Sequence, residues 1–198
     1  MVEPNHMKMK VGILVLAISV AVATLTNCSN RTATVTKADA DSLRTQLMAL
    51  TAGNQAIATN LSTFDTLDFT VFSNQQWTRL HESHAQDIIV HWPDGHSTTG
   101  IDRHIEDLKA MFVYAPNTQI KEHPIRIGAG KITAVVGIMT GTFSKPMPIG
   151  NGKFIPPTGK SFKLPMCTVG IWKEDGSMSE EYLFWDNQTY MNQIGLGK

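Results

Sequence analysis

The 198-residue chain has little of three things: net charge, cysteine, and apolar sequence long enough to span a membrane. Its 17 basic and 17 acidic side chains cancel, so no positive field is available to attract nucleic acid. Its two cysteines, Cys28 and Cys167, lie in unrelated contexts, which argues against a disulfide framework. The sequence also contains no internal repeat. These absences favour one folded domain with an N-terminal extension.

The N-terminus has the pattern of an export signal. Met7-Lys-Met-Lys10 precedes an apolar run, residues 11–24, that is short for a membrane span and typical of a signal peptide. Leu25-Thr-Asn-Cys28 then resembles a bacterial lipobox, in which the cysteine receives the lipid. An ordinary cleaved signal peptide and an uncleaved anchor are the alternatives. We predict export and a lipid-anchored location in the cell envelope, on the outer-membrane or periplasmic side.

The export signal and the polar stretch that follows it divide the chain into three parts. We predict a signal peptide with a lipidated Cys28 over residues 1–28, a polar tether with an N-terminal helix over 29–60, and the folded domain over 61–198. Asp39 or Asp41 is a candidate N-cap for the N-terminal helix.

The first half of the mature chain has helical spacing, and the second half alternates as strands do. Ser73 is a predicted helix cap, and Pro93-Asp-Gly95 predicts a turn after the first strand. Helices are predicted over 39–58, 61–72, 74–84 and 100–114, and strands over 87–92, 118–128, 131–144, 161–173 and 177–186. This order predicts an α+β fold in which three N-terminal helices pack on a strongly curved, mostly antiparallel sheet.

The last predicted strand carries the residue of greatest interest, Asp186. Alternation puts Tyr182, Phe184 and Asp186 on one face of this strand, and Leu183 and Trp185 on the other. An acid buried behind aromatic side chains has a raised pKa, which suits proton transfer. The alternative is that Asp186 caps a short helix that follows it.

Three stretches of the domain resemble the SnoaL-like polyketide cyclases, also called ester cyclases. They are Ile89-Val-His-Trp-Pro-Asp-Gly95 with Gly100-Ile-Asp-Arg-His104, then Ile155-Pro-Pro-Thr-Gly-Lys160, and finally Asp175-Gly176 through Glu180-Glu-Tyr-Leu-Phe-Trp-Asp186 with Gln193-Ile-Gly-Leu196. The resemblance covers roughly residues 61–196. It implies the cone-shaped fold of the nuclear-transport-factor-2-like proteins, in which the sheet and helices enclose an apolar pocket.

The family likeness also implies a reaction. Characterised cyclases of the family use an aspartate at the Trp-Asp position as acid and base for an aldol ring closure, without metal or cofactor. This assigns catalysis to Asp186, and His91 is the candidate that polarises the substrate. We predict substrate contacts from five further side chains of the pocket: Trp92, His104, Tyr182, Phe184 and Met166.

The sequence is rich in histidine over a short stretch, which raises the question of a metal site. Five histidines lie from His81 to His104, but no recognisable zinc spacing completes them, so we expect no metal, and the resemblance implies that no cofactor is needed. The predicted partner is a small apolar or carbonyl-containing molecule, with no nucleic acid and with membrane contact through the lipid alone. A non-catalytic ligand-binding lipoprotein is the alternative to a cyclase or isomerase, and a homodimer through the Leu183 face is a third expectation.

Overall fold

The computed structural model describes residues 35–197. The predicted signal peptide, Cys28 and most of the predicted tether lie outside the described residues. The described elements follow one another in chain order: α1 (Lys37–Thr66), a π-helical turn (Leu67–Phe72), a 3-10 turn (Trp77–Glu82), β1 (His84–His91), β2 (Ser97–Thr99), α2 (Ile101–Tyr114), β3 (Gln119–Ile120), β4 (Ile125–Ala129), β5 (Ile132–Thr142), β6 (Met147–Pro148), β7 (Phe154–Ile155), β8 (Ser161–Trp172), β9 (Met178–Phe184) and α3 (Asn187–Gln193).

Helix α1 is one continuous helix where the sequence predicted two. Its N-cap is Thr36, whose Oγ1 accepts from the backbone N–H of Asp39, while the Asp39 carboxylate accepts from the backbone N–H of Thr36. This reciprocal capping box replaces the predicted cap at Asp39 or Asp41. The N-terminal half of α1 exposes its leucines, and only near Asn60 and Phe64 does the helix become buried.

The π-helical turn Leu67–Phe72 continues α1 without a break. π-Helical turns occur frequently at functional sites. In this turn the side chains of Leu67, Asp68, Val71 and Phe72 are all buried. The turn therefore directs one acidic side chain, Asp68, towards the interior together with apolar neighbours.

Two expectations for the following segment are corrected. The helix predicted over 74–84 is only the 3-10 turn, and β1 begins three residues earlier than predicted, at His84. Ser73 does not cap a helix: its hydroxyl bonds the backbone of Asp68 and Ile120, which ties the π-helical turn to the sheet. Helix α2 agrees with its predicted range and buries Ile101, His104 and Phe112.

The main sheet has seven strands in the order β2-β1-β9-β8-β5-β3, with β4 also paired to β5. The long strands β5 and β8 pair antiparallel over their whole length, from Ile132 opposite Ile171 to Thr142 opposite Ser161. The strand predicted over 118–128 is split into β3 and β4 around His123-Pro124, because proline has no N–H for the ladder. The sheet is mostly antiparallel as predicted, but β1 and β9 pair in parallel.

The two faces of β9 are the reverse of those expected. Glu181 and Leu183 are buried and Trp185 packs against the core, whereas Phe184 is 52% exposed. The predicted alternation is correct, but each side chain points to the opposite side. The Leu183 face, on which the expectation of a homodimer rested, is thus part of the interior.

Within residues 35–197 no helix is both long enough and apolar enough to cross a membrane.

Candidate functional site

An apolar cavity lies between the π-helical turn, β1, α2 and the inner face of the sheet. It encloses about 50 Å³. Most of its wall is aliphatic, aromatic or thioether. The lining residues are Leu67, Asp68, Phe72, His84, Trp92, His104, Leu108, Met111, Ile120, Met139, Met166, Thr168, Glu181, Leu183 and Trp185.

Two histidines and a glutamate form a polar cluster in this wall. Glu181 Oε2 lies 3.2 Å from His104 Nε2 and 3.7 Å from His84 Nε2. His84 and His104 are each 2% exposed, and Glu181 is 5% exposed. The three residues come from the start of β1, the first turn of α2 and the middle of β9, so regular structure fixes each side chain.

The cluster decides the charge of Glu181. Burial raises the pKa of this carboxyl, and the imidazoles of His104 and His84 lower it by more, so the net pKa lies below the ordinary value for glutamate. A charged carboxylate in an apolar wall is costly unless polar partners compensate it. The two imidazoles supply that compensation.

The polar atoms of the cluster are nevertheless not all satisfied. His84 Nε2, His104 Nδ1 and Glu181 Oε2 are buried and have no hydrogen-bond partner in the described chain. The Glu181–His104 contact of 3.2 Å is an ion-pair distance without the alignment of a hydrogen bond. Most buried polar atoms in folded proteins have a partner. Three buried polar atoms without partners in one cavity wall therefore indicate a place for a polar group of a ligand or for an ion.

Asp68 is the second acidic group of the cavity. Its side chain is buried among apolar neighbours, and its Oδ2 lies 2.8 Å from His123 Nε2. Burial raises the pKa of Asp68, and the facing imidazole of His123 only partly opposes that rise. A carboxyl group with a raised pKa exchanges its proton more readily near neutral pH than an exposed aspartate does.

A chain of polar contacts connects Asp68 to the surface. The other ring nitrogen of His123, Nδ1, lies 2.7 Å from Asp65 Oδ1, and Asp65 Oδ2 lies 3.0 Å from Arg126 Nη2. Burial lowers the pKa of His123, but its hydrogen bonds to Asp68 and Asp65 raise it by more. His123 is thus held between two carboxylates, with a fixed ring orientation.

Asp186, the acid assigned from the sequence, lies outside the cavity. It is the N-cap of α3: its Oδ1 accepts from the backbone N–H groups of Gln188 and Thr189, and its Oδ2 accepts from the Thr189 hydroxyl. These bonds lower the pKa of the exposed carboxylate. The expectation that Asp186 is buried with a raised pKa is therefore wrong, and the alternative of a helix cap is what the structure shows.

His91, Tyr182 and Phe184 also lie away from the cavity. His91 Nε2 is 3.2 Å from Glu180 Oε2, and its ring stacks on Tyr182 at a centroid distance of 4.0 Å. This pair occupies the outer face of the sheet together with Phe184. The structure consequently does not bring His91 and Asp186 together around a ligand.

The remaining predicted contacts do line the cavity. Trp92, His104 and Met166 all belong to its wall. Asp68, His123 and Glu181 were not among the predicted site residues, and Glu181 shares the buried face of Leu183. One signal was available for Asp68: Phe64 and Phe72 flank it at four-residue spacing, which puts a single acid in the middle of an apolar helical stripe.

The fold and site together define a class of protein. An α+β cone with helices against one face of a curved, mostly antiparallel sheet, enclosing an apolar cavity with a few convergent polar groups, is the nuclear-transport-factor-2-like fold. The family model for SnoaL-like polyketide cyclase matches residues 65–194. The chain belongs to the SnoaL-like polyketide cyclase family.

Solved structures with the same fold are numerous and distant in sequence. A SnoaL-like protein from Jannaschia sp. CCS1 is 19% identical with a TM-score of 0.61, over 71% of this chain and 94% of that one. IdmH from Streptomyces antibioticus, a candidate polyketide cyclase, is 21% identical with a TM-score of 0.58, over 69% and 98%. A ketosteroid isomerase-like protein from Catenulispora acidiphila DSM 44928, solved with trimethylamine, is 13% identical with a TM-score of 0.54, over 69% and 92%.

At these identities the likeness shows the fold alone. No curated protein matches the chain in sequence.

Proposed function

We propose that the protein catalyses proton transfer at a carbon atom next to a carbonyl group, in a cyclase or isomerase reaction, with Asp68 as the acid and base. The observation that carries the proposal is the position of Asp68, a buried carboxyl with a raised pKa in an apolar cavity that also holds unpartnered polar atoms. Family membership supports this reaction class, because cyclisation begins with loss of such a proton.

Asp68 suits the proton-transfer step for a physical reason. One of its oxygens is held by His123, so the carboxyl group has a fixed orientation. As a carboxylate it takes the proton from the substrate carbon, and as the acid it returns the proton to the product. General acid–base catalysis is most effective when the pKa of the group lies near the working pH, and burial moves the pKa of Asp68 in that direction.

The histidine cluster suits the carbonyl oxygen. Removing a proton next to a carbonyl puts negative charge on that oxygen, and hydrogen-bond donors fixed in advance stabilise the charge. His84 and His104 line the same cavity as Asp68, and each has a buried ring nitrogen without a protein partner. Glu181 faces both rings, and the Ser83 hydroxyl fixes the ring of His84 through Nδ1.

The cavity limits the substrate. Its volume of about 50 Å³ is small against the roughly 300–1,000 Å³ of pockets for drug-sized ligands. Three flexible methionines, Met111, Met139 and Met166, line it and are able to move aside. We therefore propose a small carbonyl compound, such as a keto ester or lactone, rather than a large aromatic one.

The predicted signal peptide and lipidated Cys28 place this activity, as a proposal, in the cell envelope. A protein there that only binds a ligand in the same cavity is the second candidate, and the many apolar side chains of the cavity favour it. The two candidate functions differ in one respect: an enzyme removes the proton on the carbon next to the carbonyl group of the ligand, and a binding protein leaves it in place.

The experiment measures that proton directly. The full chain, purified in detergent, is incubated in D₂O with a panel of small ketones, keto esters and lactones, and proton NMR follows hydrogen–deuterium exchange at the carbon next to the carbonyl. We expect exchange with the wild type and a loss of about 100-fold or more in Asp68→Asn, the usual range for a general acid or base.

Two further variants complete the design. Asp41→Asn, at an exposed position of α1, is the matched control and should exchange like the wild type. Asp186→Asn tests the assignment made from the sequence, and exchange lost there instead of in Asp68→Asn would overturn the proposal. Ligand binding without exchange in any sample would favour the binding protein.

A further inference from the structure

The His84–His104–Glu181 cluster has the composition of a metal site. Within residues 35–197 it is the one group of three such residues whose candidate ligand atoms all lie within 4.8 Å of one another. All three side chains are more than nine-tenths buried. Two imidazole nitrogens and a carboxylate oxygen are a donor set that binds zinc and other divalent first-row transition metals.

The distances within the cluster fit an ion. Ligand atoms around a tetrahedral Zn²⁺ with bonds of 2.0–2.1 Å stand about 3.3 Å apart. Glu181 Oε2 is 3.2 Å from His104 Nε2 and 3.7 Å from His84 Nε2. The candidate ligand atoms of the two histidines also lie within 4.8 Å of one another, so all three separations are compatible with one shared ion after adjustment of the side chains.

The surroundings of the cluster also suit an ion. His84 Nδ1 lies 2.8 Å from the buried Ser83 hydroxyl, which fixes the ring so that Nε2 faces Glu181. Histidine ligands usually have such a partner on their second nitrogen. The cluster forms part of the wall of the cavity, which leaves a coordination position for water or for a substrate oxygen.

The unpartnered atoms add an independent argument. His84 Nε2 and Glu181 Oε2, two of the atoms that would bind the ion, are buried without a hydrogen-bond partner. A buried polar atom left in this state destabilises the fold, whereas coordination to a cation satisfies both at once.

We propose that His84, His104 and Glu181 form a binding site for one divalent transition-metal ion, with Zn²⁺ as the reference ion. This departs from the expectation of no metal that the histidine spacing and the family resemblance gave. The proposal does not rest on the proposed function, since an ion can bind here whether or not the cavity turns over a substrate. With an ion bound, His84 Nε2 would be a ligand, and the ion would stand where the proposed function places the N–H of that nitrogen.

The test uses the full chain without a histidine tag, purified in detergent and stripped of metal with a chelator. Co²⁺ is titrated in while the visible absorption of the ion is recorded, and Zn²⁺ is titrated by calorimetry. We expect one equivalent bound, an intense tetrahedral or five-coordinate Co²⁺ spectrum, and affinity at least about 100-fold weaker in Glu181→Gln and in His104→Ala.

A matched control is available on the outer face of the sheet. His91 and Glu180 form a similar histidine–glutamate contact of 3.2 Å that lacks a second histidine, so His91→Ala should keep full affinity. Because a cluster variant could lose affinity simply by unfolding, melting curves are recorded for every variant with and without Zn²⁺. Zn²⁺ should raise the melting temperature of the wild type and His91→Ala and leave that of the two cluster variants unchanged.

Absence of stoichiometric binding to the wild type would overturn the proposal, as would unchanged affinity in both cluster variants or equal loss in His91→Ala. Asp68→Asn separates this proposal from the previous one. This variant should bind Zn²⁺ like the wild type while losing proton exchange. Zn²⁺ binding therefore tests the metal site, and proton exchange separately tests the proposed function.

Discussion

His123 Nε2 lies 2.8 Å from Asp68 Oδ2, and the opposite ring nitrogen lies 2.7 Å from Asp65 Oδ1. One imidazole therefore joins a buried carboxyl of the cavity to a partly exposed carboxyl at the surface. The ring stands between them with its side chain almost fully buried. This arrangement explains how an acid is retained inside an apolar wall, because its partner is itself held in place from the other side.

The first prediction concerns His123→Gln and pH. The folded-state pKa of His123 is raised above its unfolded value of about 6.5, so its contribution is fully present below that pH and is lost as pH rises through the folded pKa. We expect the variant to be less stable than the wild type by about 1–3 kcal/mol at pH 6, the cost of leaving a buried partner unpaired. Urea unfolding at pH 6 and at higher pH should show this difference shrinking. A difference that stays constant or grows would contradict it.

The second prediction concerns Asp186→Ala. The lowered pKa of Asp186 means that its capping stabilisation is present above the unfolded pKa of about 3.9 and is lost as pH falls through the folded value. We expect the variant to melt a few degrees below the wild type at neutral pH and nearer to it in acid. Proton exchange with the carbonyl panel should be unchanged, since the side chain lies outside the cavity. Melting curves at several pH values provide the measurement.

The third prediction compares two glycines. A Cβ added at Gly141 would lie 2.5 Å from a ring carbon of Phe162, which is buried, so Gly141→Ala should destabilise by about 1–3 kcal/mol. A Cβ at Gly53, in the middle of α1, meets nothing within 4 Å, so Gly53→Ala should stabilise by about 0.5–1 kcal/mol through helix propensity. Chemical denaturation of both variants measures the difference, and equal signs would show that α1 or the core is described incorrectly.

The fourth prediction tests the orientation of β9 with adjacent residues. Leu183 is buried in the core, and Leu183→Ala should cost about 2–5 kcal/mol. Phe184 is 52% exposed, and Phe184→Ala should cost well under half of that. If the orientation expected from the sequence were right, the order of the two values in denaturant unfolding would be reversed.

Much of the fold follows from local patterns in the sequence. Helix α2 was predicted over the correct range because its apolar residues recur at helical spacing, and the long strands β5 and β8 were predicted because theirs alternate. These signals are local, and each involves one element. The family resemblance supplied the architecture that joins them.

The orientation of β9 could not be obtained in this way. Glu180 and Glu181 put an acid on each face of the strand, and Tyr182, Leu183, Phe184 and Trp185 put apolar groups on each face as well. A period of two gives the alternation, but not which set points inward. The choice depends on the parallel pairing with β1, which joins residues about ninety positions apart, for example His91 with Tyr182.

The positions of the site residues are still harder to predict from local sequence patterns. His84, His104 and Glu181 meet only through tertiary structure, and Asp68 reaches the cavity through a π-helical turn that no spacing rule predicts. The Trp-Asp pattern of the family directed attention to Asp186, at the end of the correct strand but past the point where the strand leaves the cavity wall.

The pairing of β1 with β9 also sets the order in which the protein is completed. The first strand of the sheet has a neighbour from the last twenty or so residues of the chain, and Glu181 arrives with that neighbour. A ribosome-bound chain can form helices α1 and α2 and pair β5 with β8 before β9 is available, since these elements precede β9 in the chain. The cavity wall is complete, and the carboxylate of Glu181 is in place, only after β9 has paired with β1. A chain that ends before β9 therefore lacks Glu181 and Leu183, the two side chains that this strand contributes to the cavity wall.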